Sequence, residues 1–400
     1  MNKKIGIWAG ILVATAALLA GCSGFWDLPP SSNNTPTSTT LSSGYFYVLD
    51  VSTSQVISYY INSGTLTPVG SPVTVPSEPI AITVAPNDQF LYVSALSSGT
   101  GAIYVYTISN GSLTLGNNQQ PIASDPALEM QVDSTDSWLV ETSGQGTLNA
   151  IPIVSTNGDL NTSAPSCSTQ NNASSPICTV PLTGSTIHQL AIAPNNQYVF
   201  VASGTNGTEA FTFSAGTNNS ANPFGSAAYQ TVGPVTNGTG AALSAAVDPS
   251  NRVLYVGEEA GSGAVLRVFT IGTSGALSEL TGSGSPFTVG GSGPYGVLPT
   301  STGDYVYVAS WNGTSAGIIT GFSISDSNST FSLTKLSGTN TTGDQPTSLV
   351  EDSDHNFVLA ESSGGNPNFD AYYFDTTTAG QLDLTIKSST YAGASLAANH

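Results

Sequence analysis

Positive charge is what this chain lacks most. Its 400 residues carry six Lys and Arg against 25 Asp and Glu, a formal charge of −19. A molecule so poor in cations cannot neutralise a phosphate backbone, which excludes nucleic acid as a partner. Small anionic substrates would meet few cations too, so sugars, neutral lactones and cations remain as ligand classes. Histidine and cysteine are scarce, at three each, and no cluster of them has the four-ligand spacing of a zinc site. There is no Gly-Lys-Ser/Thr phosphate loop and no Cys-x-x-Cys-His haem motif. Gly313-Thr-Ser315-Ala-Gly317 matches the nucleophile-elbow pattern, but that motif works on a strand-to-helix turn. Here it joins two strand-like runs and is read as coincidence. Helical apolar stripes are missing as well: short apolar clumps stand among 43 glycines and abundant Ser, Thr and Asn, an all-β composition.

The single long apolar run, Ile5 to Ala20, is shorter than the roughly 20 residues of a membrane span. Lys3-Lys4 precede it and Leu19-Ala20-Gly21-Cys22 follow, the order of a secretory signal. Leu-Ala-Gly-Cys matches the bacterial lipoprotein cleavage box, so residues 1–21 are expected to be removed and Cys22 acylated. An ordinary signal peptide with an incidental cysteine is the alternative. A lipid anchor holds the mature chain to a membrane, and Ser23, where inner-membrane retention usually needs aspartate, points to the outer membrane. Residues 22–43, almost all Pro, Ser, Thr and Asn from Pro29 on, cannot bury enough apolar surface to offset ordering entropy and read as a tether. In an exported protein, Cys167 and Cys178 read as a disulfide stapling the polar loop between them, with two free thiols as the alternative.

The remainder, 44–400, repeats one phrase: a short apolar strand, a turn at Pro or Ser, then an alternating Tyr/Phe-Val strand. Ile82 to Ser94 and Leu190 to Ala202 are two of six full copies. The turn anchors Pro86, Ser134, Pro194, Pro249, Ser301 and Ser353 lie roughly 50–60 residues apart, room for the four strands of a propeller blade. Two fragments remain and complement each other: Tyr45 to Asp50 is a second strand without a first, and Gly393 to Ala398 a first strand with nothing after it. The expectation is an all-β, seven-bladed β-propeller of four-stranded blades, monomeric, closed by the C-terminal strand joining the N-terminal blade so that no sheet edge is left open.

The repeat phrase, its spacing, and fourth strands such as Gly111-Ser-Leu-Thr114 resemble the seven-bladed lactonase family of 6-phosphogluconolactonases and carboxy-muconate cyclases. The likeness covers about residues 45–400, and its grammar specifies fold better than activity. It implies an active site at one channel mouth, built from a His, a Glu and two Arg. His188, six residues before Pro194, matches the histidine; Glu259, ten after Pro249, matches the glutamate, with Glu258 adjacent. Both arginines are missing: Leu243 and Trp311 stand at their positions.

His188 is the candidate general base, or one polar residue of an ordinary channel. Glu259 and Glu258 are candidates for an acid, a substrate contact or a Ca²⁺ ligand, and adjacent strand residues point to opposite faces, so one at most faces the channel. Trp311 reads as a sugar-stacking residue or as packing under a loop. Asp352-Ser-Asp354-His-Asn356 begins like a calcium loop but lacks its Gly and Glu, and reads as a turn. Two functions stand: a lactone hydrolase in which His188 activates water and Glu259 positions it at a neutral lactone, and a tethered binding module for glycan or envelope protein. The missing arginines favour the second.

Overall fold

The structure, a computed structural model, describes residues 42–160, 177–184, 186–215, 222–225, 228–235, 240–311, 313, 316–327, 330–365, 367–388 and 393–400. Cys22 and Cys167 lie outside them; Cys178 is disulfide-bonded.

The strands form seven antiparallel sheets, six of them laid down in chain order from an inner strand outward. Blade 2 shows the pattern: Glu78–Val84, Phe90–Ser97, Thr100–Ser109 and Ser112–Leu115. Blades 3 to 7 begin with Ala127–Val132, Gln189–Ile192, Ala241–Val247, Gly293–Pro299 and Asp344–Glu351. Blade 1 is composite, because Gly393–Ala398 pairs antiparallel with Phe46–Asp50 and so supplies its inner strand. The seven inner strands touch in a closed cycle around the channel. In blades 1, 2, 5 and 6 the outer edge is divided between two short strands that pair with the same third strand, as Thr65–Pro68 and Val73–Thr74 do with Gln55–Asn62.

The core lies between blades, in seven apolar clusters. Alternation explains why the second strands are apolar on both faces. Leu91 and Val93 pack with Tyr47 and Leu49 of blade 1, while Phe90 and Tyr92 pack with Leu139 and Ile151 of blade 3. Inner strands of neighbouring blades share no ladder, so side chains satisfy their edges. Gln131 Oε1 accepts the Ile192 N–H at 2.8 Å, and Gln189 Oε1 accepts that of Ala245 at 3.0 Å.

At one end of the channel the repeat turns carry left-handed residues, among them Asp88, Asp136, Asn196, Asn251 and His355, a conformation that Asn and Asp tolerate best after Gly. Their side chains also join blades. Ser134 N–H donates to Asn196 Oδ1 (3.3 Å) and Asn195 N–H to Asn251 Oδ1 (2.9 Å). Asp352, read from the sequence as part of a turn, accepts the N–H groups of Asn356 and Phe357.

At the other end, in blades 2 and 4 to 7, the crossover into the inner strand is pinned by a polar residue on that blade's third strand. Tyr104 meets Ser77 (2.8 Å), Glu209 accepts Thr183 N–H (3.0 Å), Arg267 donates to the Gly233 carbonyl (2.8 Å), Thr320 to that of Val289 (2.9 Å), and Asp370 accepts Gly343 N–H (3.0 Å). In blade 3, Asn149 donates to Glu141, which accepts the Ser124 hydroxyl.

Candidate active site at the channel mouth

A bulge recurs at one position of the inner strands, where an extra residue interrupts the register between Pro79 and Ala81, Ala127 and Glu129, Ala242 and Ser244, Pro294 and Gly296, and Pro346 and Ser348. A bulge re-aims the extra side chain, and here the extra residues Ile80, Leu128, Leu243, Tyr295 and Thr347 all line one cavity of about 400 Å³. His188 holds the matching place in blade 4, its N–H donating to the Ala202 carbonyl at 3.0 Å. Ser395 of the closing strand lines the same cavity. Leu128, more than a third exposed, is thus a cavity wall rather than a surface patch.

His188 meets the ring of Tyr295 at a centroid distance of 6.5 Å, and burial holds its imidazole below the ordinary histidine value. A neutral imidazole is a proton acceptor, the state a general base needs. Glu129 follows the bulge in blade 3 and lines the cavity too; burial pushes its carboxyl up to about 8. Gln345, Ser348 and Ser363 add neutral hydrogen-bonding groups.

The other residues singled out in the sequence are at this end of the molecule but outside the cavity wall. Glu259 is exposed at the end of Val253–Ala260; burial raises the Tyr295 phenol's pKa, and the nearby Glu259 adds to that shift. Glu258 is fully buried; its carboxylate takes Arg267 at 2.9 Å and the Val235 N–H at 2.8 Å. The expectation that it contacts substrate is corrected: it holds a blade together, and with its oxygens engaged it does not suit a Ca²⁺ ion. Among the described residues, no group of three or more His, Cys, Asp or Glu converges as metal ligands. Trp311 ends Tyr305–Trp311 and donates from Nε1 to Asp344 Oδ1 at 2.6 Å, which ties its indole to the rim between blades 6 and 7.

No Lys or Arg is among the cavity's lining residues. Beyond the N-terminal segment each of the four bases has an acidic or carbonyl neighbour within or between blades. Arg252 pairs with Asp248 and Asp326, Arg267 with Glu258 and Glu279, Lys335 donates to backbone carbonyls, and Lys387 lies opposite Asp370. Glu129 and Tyr295 were missed in the sequence. The six-residue count that finds His188, applied to every anchor, finds Tyr295 directly and Glu129 one residue beyond Leu128.

A closed ring of seven blades with a polar cavity at one mouth defines a β-propeller whose channel mouth is its site. The chain matches the family model described as lactonase, 7-bladed beta-propeller, over residues 46–395, and belongs to that family. Its fold is similar to that of a proposed 6-phosphogluconolactonase of Bacteroides fragilis, at 16% identity over 90% of this chain and 99% of that one, with a TM-score of 0.66. A Lactobacillus plantarum protein (16%, 89% and 99%, TM-score 0.65) and the periplasmic gluconolactonase of Pseudomonas aeruginosa (14%, 89% and 98%, TM-score 0.63) are similar as well. No curated protein matches the sequence.

Proposed function

We propose that the protein is a cell-envelope lactone hydrolase acting on a neutral sugar lactone at the channel mouth. The observation that carries this reading is the cavity itself: a neutral His188 faces a space of about 400 Å³ lined by hydroxyl, amide and apolar groups, by the Glu129 carboxyl and by no cation. That volume is in the range of roughly 300–1,000 Å³ typical of small-molecule sites. His188 accepts a proton from water, and the water adds to the lactone carbonyl. Glu259, at the rim, helps to order that water. A phosphorylated lactone is disfavoured because a buried phosphate needs Arg or Lys, and Leu243 occupies the position where the family resemblance calls for arginine. Family membership and the fold shared with a gluconolactonase support the hydrolase reading. The envelope location rests on the lipoprotein box at Cys22, with the tether following it.

The binding-module reading has the same missing cations in its favour, and it requires saturable ligand binding without turnover. The two separate in one assay. Full-length protein in detergent should hydrolyse neutral sugar lactones above the spontaneous rate and ignore their phosphorylated forms. His188→Ala should lose most of that rate. No turnover by folded protein on any neutral lactone would hand the site to ligand binding.

A further inference from the structure

We propose that Glu129 is the hydrogen-bond donor that stands in for the missing cations, gripping the carbonyl oxygen of the bound neutral lactone while His188 activates water; this rests on the lactone-hydrolase reading. The two residues reach the cavity from adjacent blades whose inner strands touch. Among the described residues the Glu129 carboxyl has no hydrogen-bond partner, unlike buried Glu141, Glu209 and Glu258, each of which pins a loop or an ion pair. Its oxygens are therefore free for a ligand. Ile80, Leu128 and Leu243 add apolar surface to the same cavity, which disfavours charge within it.

The titratable groups on the elements packed against Glu129 are Glu78, Tyr92 and Glu141, with His188 across the blade boundary. Burial, rather than any of these charges, is what raises its pKa. At neutral pH the carboxyl keeps its proton and can donate, while His188 is unprotonated and can accept. An acid and a base whose environments push their protonation states apart thereby face one cavity from neighbouring blades. Neither carries charge, which suits a cavity without cations.

In the reaction His188 takes a proton from water as the water oxygen bonds to the lactone carbonyl carbon. The carbonyl π pair moves onto the oxygen that Glu129 grips, where a donor is worth most. Collapse of that adduct breaks the ring C–O bond, and the imidazolium returns its proton to the leaving alkoxide. The product is an open-chain hydroxy acid, which ionises to a carboxylate in a cavity with no cation to retain it, so release is favoured.

The test uses full-length protein in detergent with glucono-1,4-lactone, corrected for spontaneous hydrolysis. Glu129→Ala should lower kcat by about 10²–10³-fold with KM nearly unchanged. Glu129→Gln, which keeps a donor, should retain most of the rate and lose the decline that the parent shows as pH rises past about 8. Should Glu129→Ala fail to fold, the pH profile of the Gln variant decides alone. If a folded Ala variant matches the parent, or the Gln variant keeps the alkaline decline, the role of Glu129 is overturned and the hydrolase reading survives. If the parent itself turns nothing over, the hydrolase reading falls. Calorimetric binding of glucono-1,5-lactam then decides: affinity at least about tenfold weaker in Glu129→Ala upholds the carbonyl donor, and equal or absent binding rejects it.

Discussion

Arg267 is 6% exposed and reaches Glu258 and Glu279 from three nitrogens, with the Gly233 carbonyl and the face of Phe269 completing its surroundings. Replacing it by Met leaves fully buried Glu258 without its counter-charge, which should cost about 3–5 kcal/mol in denaturant unfolding. A further Glu258→Gln change should recover much of that loss, since the cost lies in the orphaned charge rather than in the pair. Arg252, a third exposed between Asp248 and Asp326, belongs to the class worth about 0–1 kcal/mol. Glu361 presents the opposite case, a fully buried carboxyl with no partner for either oxygen among the described residues. Burial, with Asp50 and Asp370 nearby, holds its pKa well above the ordinary value. The folded state therefore binds this proton more tightly than the unfolded one. The associated stability is present below the ordinary carboxylate range and is lost as pH rises from there towards the raised value. Glu361→Gln should accordingly melt higher than the parent at pH 8 and no higher at pH 4, and a difference that grows toward acid would refute the sign.

The turn residues join the local conformation of one blade to the packing of the next. Asn196 has φ of 55°, accepts the Ser134 N–H from blade 3 and donates to Asp133. Asn196→Gly keeps the left-handed backbone and loses the bonds; Asn196→Ala loses both. Thermal melts should therefore rank parent, Gly, Ala, with the Ala variant lower by about 1–3 kcal/mol, and equal losses in the two variants would show that the backbone conformation contributes nothing. Much at this scale was legible in the sequence: anchors such as Pro86 and Pro194 mark the turns, and alternating runs such as Ile103 to Tyr106 mark the third strands. The crossover pins had a fainter signal, a lone Glu209, Arg267 or Asp370 inside an otherwise apolar strand, whose partner is a loop that no local pattern identifies. Glu258 and Glu259 were correctly split between two faces by strand alternation. Which of the two met an arginine depended on the neighbouring strand, so no local pattern showed that the carboxylate of Glu258, expected at the substrate, is taken up by Arg267. The cavity was legible only in part, because a bulge shifts side-chain direction by one residue and only His188 and Leu243 were counted at the bulge position.

Closure of the ring is the property of the whole molecule that the sequence announces and the structure bears out, since the unmatched strand at Gly393–Ala398 meets the unmatched strand at Phe46–Asp50 in antiparallel register. The closing strand joins blades 7, 1 and 2 at once. Leu396 and Ala397 enter the apolar clusters on its two sides, Asn399 N–H donates to the Tyr45 carbonyl (3.0 Å), and His400 N–H donates to Asp88 (2.8 Å). It also carries Ser395 into the cavity, so folding and site share one segment. Deleting 393–400 removes the inner strand of blade 1, bares the Phe46–Asp50 edge and opens the buried stack of Phe46 on Phe369. An exposed strand edge beside an apolar face invites pairing with another chain. The shortened protein should therefore lose the single cooperative melt of the parent and associate in sedimentation experiments, while deletion of 399–400 alone should lower the melting temperature by only a few degrees. A synthetic peptide spanning 393–400 should restore both the monomer and the melt, because the gap it fills is a single strand with its register set by bulge and pleat. A shortened chain that stays monomeric and melts like the parent would mean that the ring holds without its C-terminal strand.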